Sequence, residues 1–524
     1  MSGAPELLRH AHIRAAALQD RYRAAGFWSS QPADVVRVTA AEHPTLLALA
    51  DRTAELTYAA LDERIDLACH AMAEEGVVAS TPIVLVVGND VDSVVAVHAA
   101  LRLDAVVLLV PRSAGPTQVA DILARTGAGY GAAPNWPAIS EAELSGLCTW
   151  IGLGDAESGE VAQHQPQRAA DTPALVLYTS GTTSRPKGVI HSLSTLLKAS
   201  ANYIDAMGLG ADDRTFLISP LASVTGVLQA VFAGPMLAAP VVLEDRWDPA
   251  ATCDLLVSAG ATWYGGPDRL LDRLLDEAVA GHKAVPLRAV CLGGTMLDRR
   301  IVERIEDEFG IIVIRAYGSS EVPVSTSGLR TEPRDVRHAD DGVALDDVDV
   351  RVGSAGDATE CCIRGPHAFL GYTDADDDEL AFDGEWFRTG DVAELTGRRV
   401  RIVGRIKDIV IRNGMKIPAA EVEEAVARIT GVRECAAYSV ADSTTGERLA
   451  VAVVFDAGIE MTLSDVTGAL VAAGLPKYKL PEELVFWDQP LPVNANGKVE
   501  RNTLHTRSEG RPRALADRLV AASG

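Results

Sequence analysis

Apolar residues recur along this chain in two periods. In residues 56–76, Leu61, Ile65, Cys69 and Met72 share one helical face, and Gly76 closes the run. Residues 83–87 are continuously apolar, 93–101 read as helix, and 105–110 are apolar again. That alternation predicts a β-α-β unit whose strands are buried on both faces. Strands are then expected at 174–178, 216–218, 241–243, 262–264, 289–292 and 311–314, with helices at 268–278 and 299–309 between the later ones. The fold class read from this pattern is α/β, with mostly parallel sheets in a large N-terminal part.

From about residue 345 the runs shorten to strand-sized pieces at 348–352, 360–364 and 400–403. After Gly404 a smaller α+β unit is expected. It has helices at 419–429 and 463–473, strands at 435–440 and 449–455, and an extended piece at 483–487. The stretch from about Ser508 is polar, then Ala-rich, and reads as a surface helix or a loose tail.

A length of 524 residues predicts at least two domains. The net charge of −24 argues against nucleic acid or anionic lipid as a partner. Any polyanion site must therefore be a local cluster of cations. Seven cysteines, two of them adjacent at Cys361 and Cys362 and none in a C-x-x-C pair, predict neither a disulfide framework nor a zinc site. Charged residues at Glu6, Arg9 and Arg14 leave no signal peptide pattern, which points to the cytoplasm. Residues 215–243 carry no formal charge, a length that would span a bilayer. Pro220, Pro235, Pro240, Gly226, Gly234 and Gln229 break that run into strand, turn, helix, turn and strand, so no membrane span is expected.

The densest chemistry lies at 178–188, YTSGTTSRPKG. Backbone N–H groups, hydroxyls and a lysine charge in so small a volume suit a polyphosphate. The glycine spacing differs from the G-x-x-x-x-G-K-[S/T] loop. Further motifs follow: RAYGSSE at 315–321, WFRTGD at 386–391, GRIKDIVIRNGMKIPAAEVE at 404–423, LPKYKLP at 475–481 and PVNANGK at 492–498.

In this order the motifs resemble the adenylate-forming superfamily of acyl- and aryl-CoA synthetases, carrier-loading adenylation domains and luciferases. The resemblance runs from about Phe27 to Leu504 and is nearest to alicyclic, aryl and fatty acid–CoA ligases. It implies a multi-subdomain core with a small barrel-like part at residues 1–403, and a mobile lid at 404–524 hinged near Lys407. It also implies two half-reactions. A carboxylate attacks the α-phosphate of ATP and releases pyrophosphate, and a thiol then displaces AMP. ATP, Mg2+ and coenzyme A are the implied cofactor and co-substrates, and a homodimer is left open.

By the same resemblance Thr179, Ser180, Gly181, Thr182, Thr183 and Lys187 would hold the β- and γ-phosphates, where preorganised donors stabilise developing charge. Ser184 stands where a glycine is usual. Tyr317 would stack on adenine, with Gly293, Gly294, Gly318, Ser319 and Ser320 around the nucleotide. Ser320 replaces the usual threonine and keeps its hydroxyl. Glu321 would hold Mg2+, and Asp391 would accept the ribose hydroxyls with Arg405 beside it. Lys498 would reach the α-phosphate during adenylation. Arg412, Asn413, Gly414 and Met415 would line the pantetheine tunnel.

The acid pocket implied by the resemblance involves Ala222, Ser223, Thr225, Gly226, Gly294, Val322 and Pro323. Ala222-Ser223 occupies a place where many relatives carry histidine or an aromatic residue. These segments hold nothing basic for a second carboxylate, so an apolar fatty, alicyclic or aromatic acid is expected. An adenylating enzyme that loads a carrier protein, and a non-catalytic nucleotide sensor, are the competing readings.

Overall fold

The computed structural model describes residues 4–140, 144, 146–153, 163–179, 185–293, 299–493 and 499–522. Two compact units are distinguished. The larger comprises Met1–Gly294, Val302–Val350 and Ile363–Phe387. The smaller comprises Thr295–Ile301, Arg351–Cys362 and Arg388–Gly524.

The larger unit holds two sheets. In one, Pro82–Val87 lies between Val106–Pro111 and Tyr130–Ala132, all parallel. Helix Val91–Arg102 connects the first two strands, as the β-α-β pattern predicts. Asp90 caps that helix by accepting from Ser93 N at 2.8 Å, so the acidic start at 90–92 is a helix cap. All its residues but Asp92 are buried, which accounts for the apolar stretch VVAVHAAL. Beyond Val106–Pro111 lies Pro173–Tyr178, parallel, then Gly188–Ser192 and Gly371–Tyr372, both antiparallel to their neighbours.

The second sheet orders Leu47–Ala50, Val241–Leu243, Thr215–Leu217, Trp263–Gly266, Ala289–Gly293 and Ile312–Tyr317 as parallel neighbours. Antiparallel strands Thr326–Ser327 and Val343–Ala344 continue from Ile312–Tyr317. The uncharged stretch 215–243 is a strand, a buried helical segment and a second strand, with the π-helical turn Val227–Ala233 in its middle. Among the described residues no helix is long and apolar enough to cross a membrane.

Arg102 ends its helix with a side chain only 1% exposed. It is held by Asp34 at 2.7 Å, Asp62 at 2.6 Å and Asp66 at 2.9 Å. Three carboxylates on other elements compensate this buried charge, which without them would be strongly unfavourable.

In the smaller unit Val432–Asp442 and Gly446–Phe455 form a long antiparallel pair. Glu483–Phe486 adds in parallel to Gly446–Phe455. Alternation buries both faces. Ala437, Val451, Val453 and Leu484 pack with Val422, Val426, Val466 and Leu470 of helices Ala419–Ala427 and Leu463–Ala472. Ala436, Ala450, Ala452 and Val485 pack on the opposite face with Trp487 and Leu504. The stretch after Ser508 holds a helix, as expected, and also a strand that was not expected. Arg513–Leu515 is a strand antiparallel to Glu483–Phe486, followed by helix Asp517–Ala522. Arg513 Nη1 pairs with buried Glu483 at 3.0 Å, and Arg518 pairs with Asp442 at 3.2 Å and with Glu482.

Candidate active site

Thr179 follows the carboxyl end of Pro173–Tyr178, and Lys187 precedes Gly188–Ser192. Tyr178 lies opposite Gly188 in the antiparallel register. The loop base is closed by Thr179 N donating to Lys187 O at 3.0 Å and by Lys187 N donating to Thr179 Oγ1 at 3.4 Å. Ser180, Gly181, Thr182, Thr183 and Ser184 lie outside the described residues, as do Gly294 and Lys498. The Lys187 ammonium is 3.0 Å from Asp377 Oδ1 and 4.9 Å over the Tyr372 ring. Arg185 pairs with Asp374.

Tyr317 ends strand Ile312–Tyr317, with Gly293 paired to Ala316 on the neighbouring strand. Both sit at carboxyl ends of parallel strands, where open α/β sheets bind ligands. The following turn is tight. Ser319 N donates to Val322 O at 3.2 Å, and Ser319 Oγ accepts from Glu321 N at 3.3 Å. Ser320 O accepts from His191 Nε2 at 2.8 Å, while His191 Nδ1 faces Thr195 Oγ1 at 3.0 Å. Burial pushes the His191 ring down to about 4, so it is neutral at pH 7. A carbonyl only accepts, so Nε2 carries the ring proton, and Nδ1 is the unprotonated nitrogen that faces the threonine hydroxyl.

Glu321 is half-buried. Its Oε1 accepts from Tyr372 Oη at 2.7 Å, and its carbonyl accepts from Phe369 N at 2.8 Å. Among the described residues Oε2 accepts no hydrogen bond. A carboxylate with one oxygen so presented suits a hard cation that takes one or two carboxylates and completes its shell with phosphate and water. No three His, Cys, Asp or Glu side chains among the described residues gather to hold a metal. A cation here would therefore draw its other ligands from a bound phosphate.

In the smaller unit Asp391 and Arg405 face each other across the hairpin of Trp386–Thr396 and Arg399–Arg405. Asp391 is buried, and Arg405 Nε lies 3.1 Å from its Oδ1. Thr389 Oγ1 accepts from Asp391 N at 3.1 Å, and buried Glu360 accepts from Gly390 N at 3.1 Å. Lys407 lies in the 3-10 turn Ile406–Asp408.

Arg412 is committed to its own unit. It donates to Leu480 O at 3.0 Å and to Tyr478 O, and it pairs with Glu482 at 3.0 Å. Asn413 and Gly414, with φ of 51° and 77°, form the two-residue turn between Ile409–Arg412 and Met415–Pro418. A Cβ on Gly414 would meet nothing within 4 Å, so positive φ is what calls for glycine there.

Ala222 is buried, and Ser223 caps helix Val224–Gly226 by accepting from Gly226 N at 3.1 Å. Thr225 O accepts from Gln229 Nε2 at 3.3 Å, and Gln229 Nε2 also donates to Gly265 O at 3.2 Å. Val322 and Pro323 are buried beneath the Glu321 turn.

Lys187, Ser320 and Glu321 thus meet in one unit, and Asp391 and Arg405 in the other. Sequence reasoning missed His191, Tyr372 and Asp377. The acidic run DADDDE at 374–379 was the available signal for Asp377. The other two owe their positions to long-range pairing.

A class of nucleotide-dependent α/β enzyme is defined by these features, and comparison gives the family. The AMP-binding enzyme model matches residues 36–373, and the AMP-binding enzyme C-terminal domain matches residues 421–498. The chain belongs to the AMP-binding enzyme family. It is 27% identical to a salicylyl-CoA synthase / salicylate adenylyltransferase of Streptomyces sp, over 94% of this chain and 96% of that protein. It is 30% identical to an indoleacetate–CoA ligase of Aromatoleum aromaticum, over 66% of this chain and 69% of that protein. Its fold superposes on ATP-bound MatB from Rhodopseudomonas palustris with a TM-score of 0.80 and 25% identity, over 90% of this chain and 99% of that one.

Proposed function

We propose that the protein is an ATP-dependent carboxylic acid–CoA ligase acting on an apolar aromatic, alicyclic or fatty acid. The observation that carries this reading is the meeting of Lys187 and Glu321 at Tyr372, at 4.9 and 2.7 Å. It sets a cation for phosphate oxygens beside a carboxylate for a phosphate-bound metal. The relatives named for salicylate and indoleacetate support an aryl or apolar acid.

In the first half-reaction an acid oxygen attacks the α-phosphorus, the bond to the β-phosphate oxygen breaks, and pyrophosphate leaves. Thr179 and the hydroxyl loop from Ser180 to Thr183 take its charge together with Lys187, which exchanges Asp377 for phosphate oxygens. Such fixed donors act where charge develops. Mg2+ held at Glu321 would neutralise phosphate charge. Tyr317 stacks on the adenine, and Asp391 with Arg405 holds the ribose. Lys498 contributes its charge at the α-phosphate.

In the second half-reaction the CoA sulfur attacks the acyl carbon and its proton passes to solvent, the acyl carbon–oxygen bond breaks, and AMP leaves with the oxygen that came from the acid. Residues 404–524, turning about Lys407, would offer two faces in turn: one carries Lys498 for adenylation, and the other withdraws it and brings the turn at Asn413 and Gly414 to the thiol.

The test is acid-dependent AMP release measured with and without CoA, over aryl, alicyclic, fatty and steroid acids. The reading expects an acyl-CoA product and release that depends on CoA. Release only with a phosphopantetheinylated carrier protein would replace CoA by the carrier. No ATP–pyrophosphate exchange with any acid would leave a nucleotide sensor.

A further inference from the structure

None of the sequence motifs includes Tyr372, yet its backbone, ring and hydroxyl are each fixed. Strand Gly371–Tyr372 pairs with Gly188–Ser192 at Tyr372↔Val189, directly after the phosphate loop. Gly371 has φ of 134°, and a Cβ there would lie 2.7 Å from Asp378 Oδ1. That same oxygen accepts from Tyr372 N at 3.0 Å. Asp378 is held by Arg14 at 3.1 Å, and the Arg14 guanidinium lies 3.3 Å over the Phe382 ring. Phe382 stacks on Phe369 at 5.1 Å, and Phe369 meets Tyr372 edge-on at 5.0 Å. The phenol therefore enters the site as a rigid arm.

At its tip the hydroxyl donates to Glu321 Oε1 at 2.7 Å, and its ring face lies 4.9 Å beneath the Lys187 ammonium. A glutamate on a tight turn can take several rotamers. The phenol selects one, occupies one oxygen and leaves the other for a ligand. Packing alone would be satisfied by phenylalanine, so the hydroxyl is the informative atom.

We infer that Tyr372 is a positioning residue, which orients the Glu321 carboxylate toward the divalent cation of metal–ATP while its ring supports Lys187. This rests on the ligase reading through the use of metal–ATP. Partners that orient a ligating group commonly change metal affinity by about tenfold or more when removed.

The experiment compares wild type, Tyr372→Phe and Tyr372→Leu as full-length chains without acid, so that no turnover occurs. Equilibrium dialysis measures affinity for Mn2+–ATP and for ATP in EDTA, and thermal unfolding is followed in parallel. For Tyr372→Phe the preference for Mn2+–ATP over metal-free ATP is expected to fall about tenfold, with metal-free affinity and unfolding midpoint unchanged. Tyr372→Leu should also weaken metal-free ATP, because the ring beneath Lys187 is lost. An unchanged metal preference in Tyr372→Phe overturns the inference and leaves the ligase reading intact. Wild type that binds neither form of ATP overturns both.

Discussion

Lys187 is held by a carboxylate and an aromatic face before any phosphate arrives, so its charge is aimed rather than waving in solvent. Lys187→Ala should lower the rate of ATP–pyrophosphate exchange by about a hundredfold, the usual effect of removing one charge-stabilising donor. Lys187→Arg, which keeps the charge, should recover part of it. A loss of less than threefold, roughly the scatter of ordinary surface changes, would remove Lys187 from the chemistry. At this scale the motifs made Lys187, Glu321 and Asp391 legible, because each sits in a short run whose residue types suit one ligand group. His191 and Tyr372 were not legible. Their neighbours in sequence say nothing of Ser320 or Glu321, and only the pairing of Gly371–Tyr372 with Gly188–Ser192 brings the phenol to the turn.

Among elements, the hairpin carrying Asn413 and Gly414 separates two requirements on one glycine. Its φ of 77° penalises any side chain by about 1–2 kcal/mol. The open space around it penalises none by contact. Gly414→Ala and Gly414→Leu should therefore lower the unfolding midpoint alike and spare pyrophosphate exchange. Only the leucine variant should block transfer to CoA, provided the thiol passes this turn. Equal transfer by both variants would take the turn out of the thiol path. Periodicity located most elements well. Val241–Leu243 and Arg299–Phe309 match the expected bounds residue for residue. Helix Ala419–Ala427 stops earlier than expected, where the helical pattern alone gave no cap. Strand Arg513–Leu515 escaped because three residues carry no alternation, and its pairing with Glu483–Phe486 is what makes it a strand.

Across the whole molecule, acid stability should be governed by three histidines buried as neutral rings. Burial lowers His98 and His191 to about 4 and His367 to about 3, from 6.5. The unfolded chain takes up these protons near pH 6.5, and the folded chain resists until pH 3–4. The stabilisation is thus complete above pH 6.5 and is lost as the pH falls toward 4. Each ring contributes a slope of up to about 1.4 kcal/mol per pH unit in that window. His191→Gln keeps a donor for Ser320 O and removes one titration. Urea unfolding at pH 7 and pH 5 should show a smaller acid loss for this variant than for wild type. An identical loss would mean that carboxylates dominate.

The strand Arg513–Leu515 has a consequence for solubility. It closes the outer margin of a sheet whose neighbour, Glu483–Phe486, would otherwise present bare N–H and C=O groups. A chain ending at Arg511 would also strip Glu482 and Asp442 of the Arg518 guanidinium. Such a shortened protein is expected to self-associate through that exposed rim, seen as concentration-dependent light scattering, while the full chain stays clear.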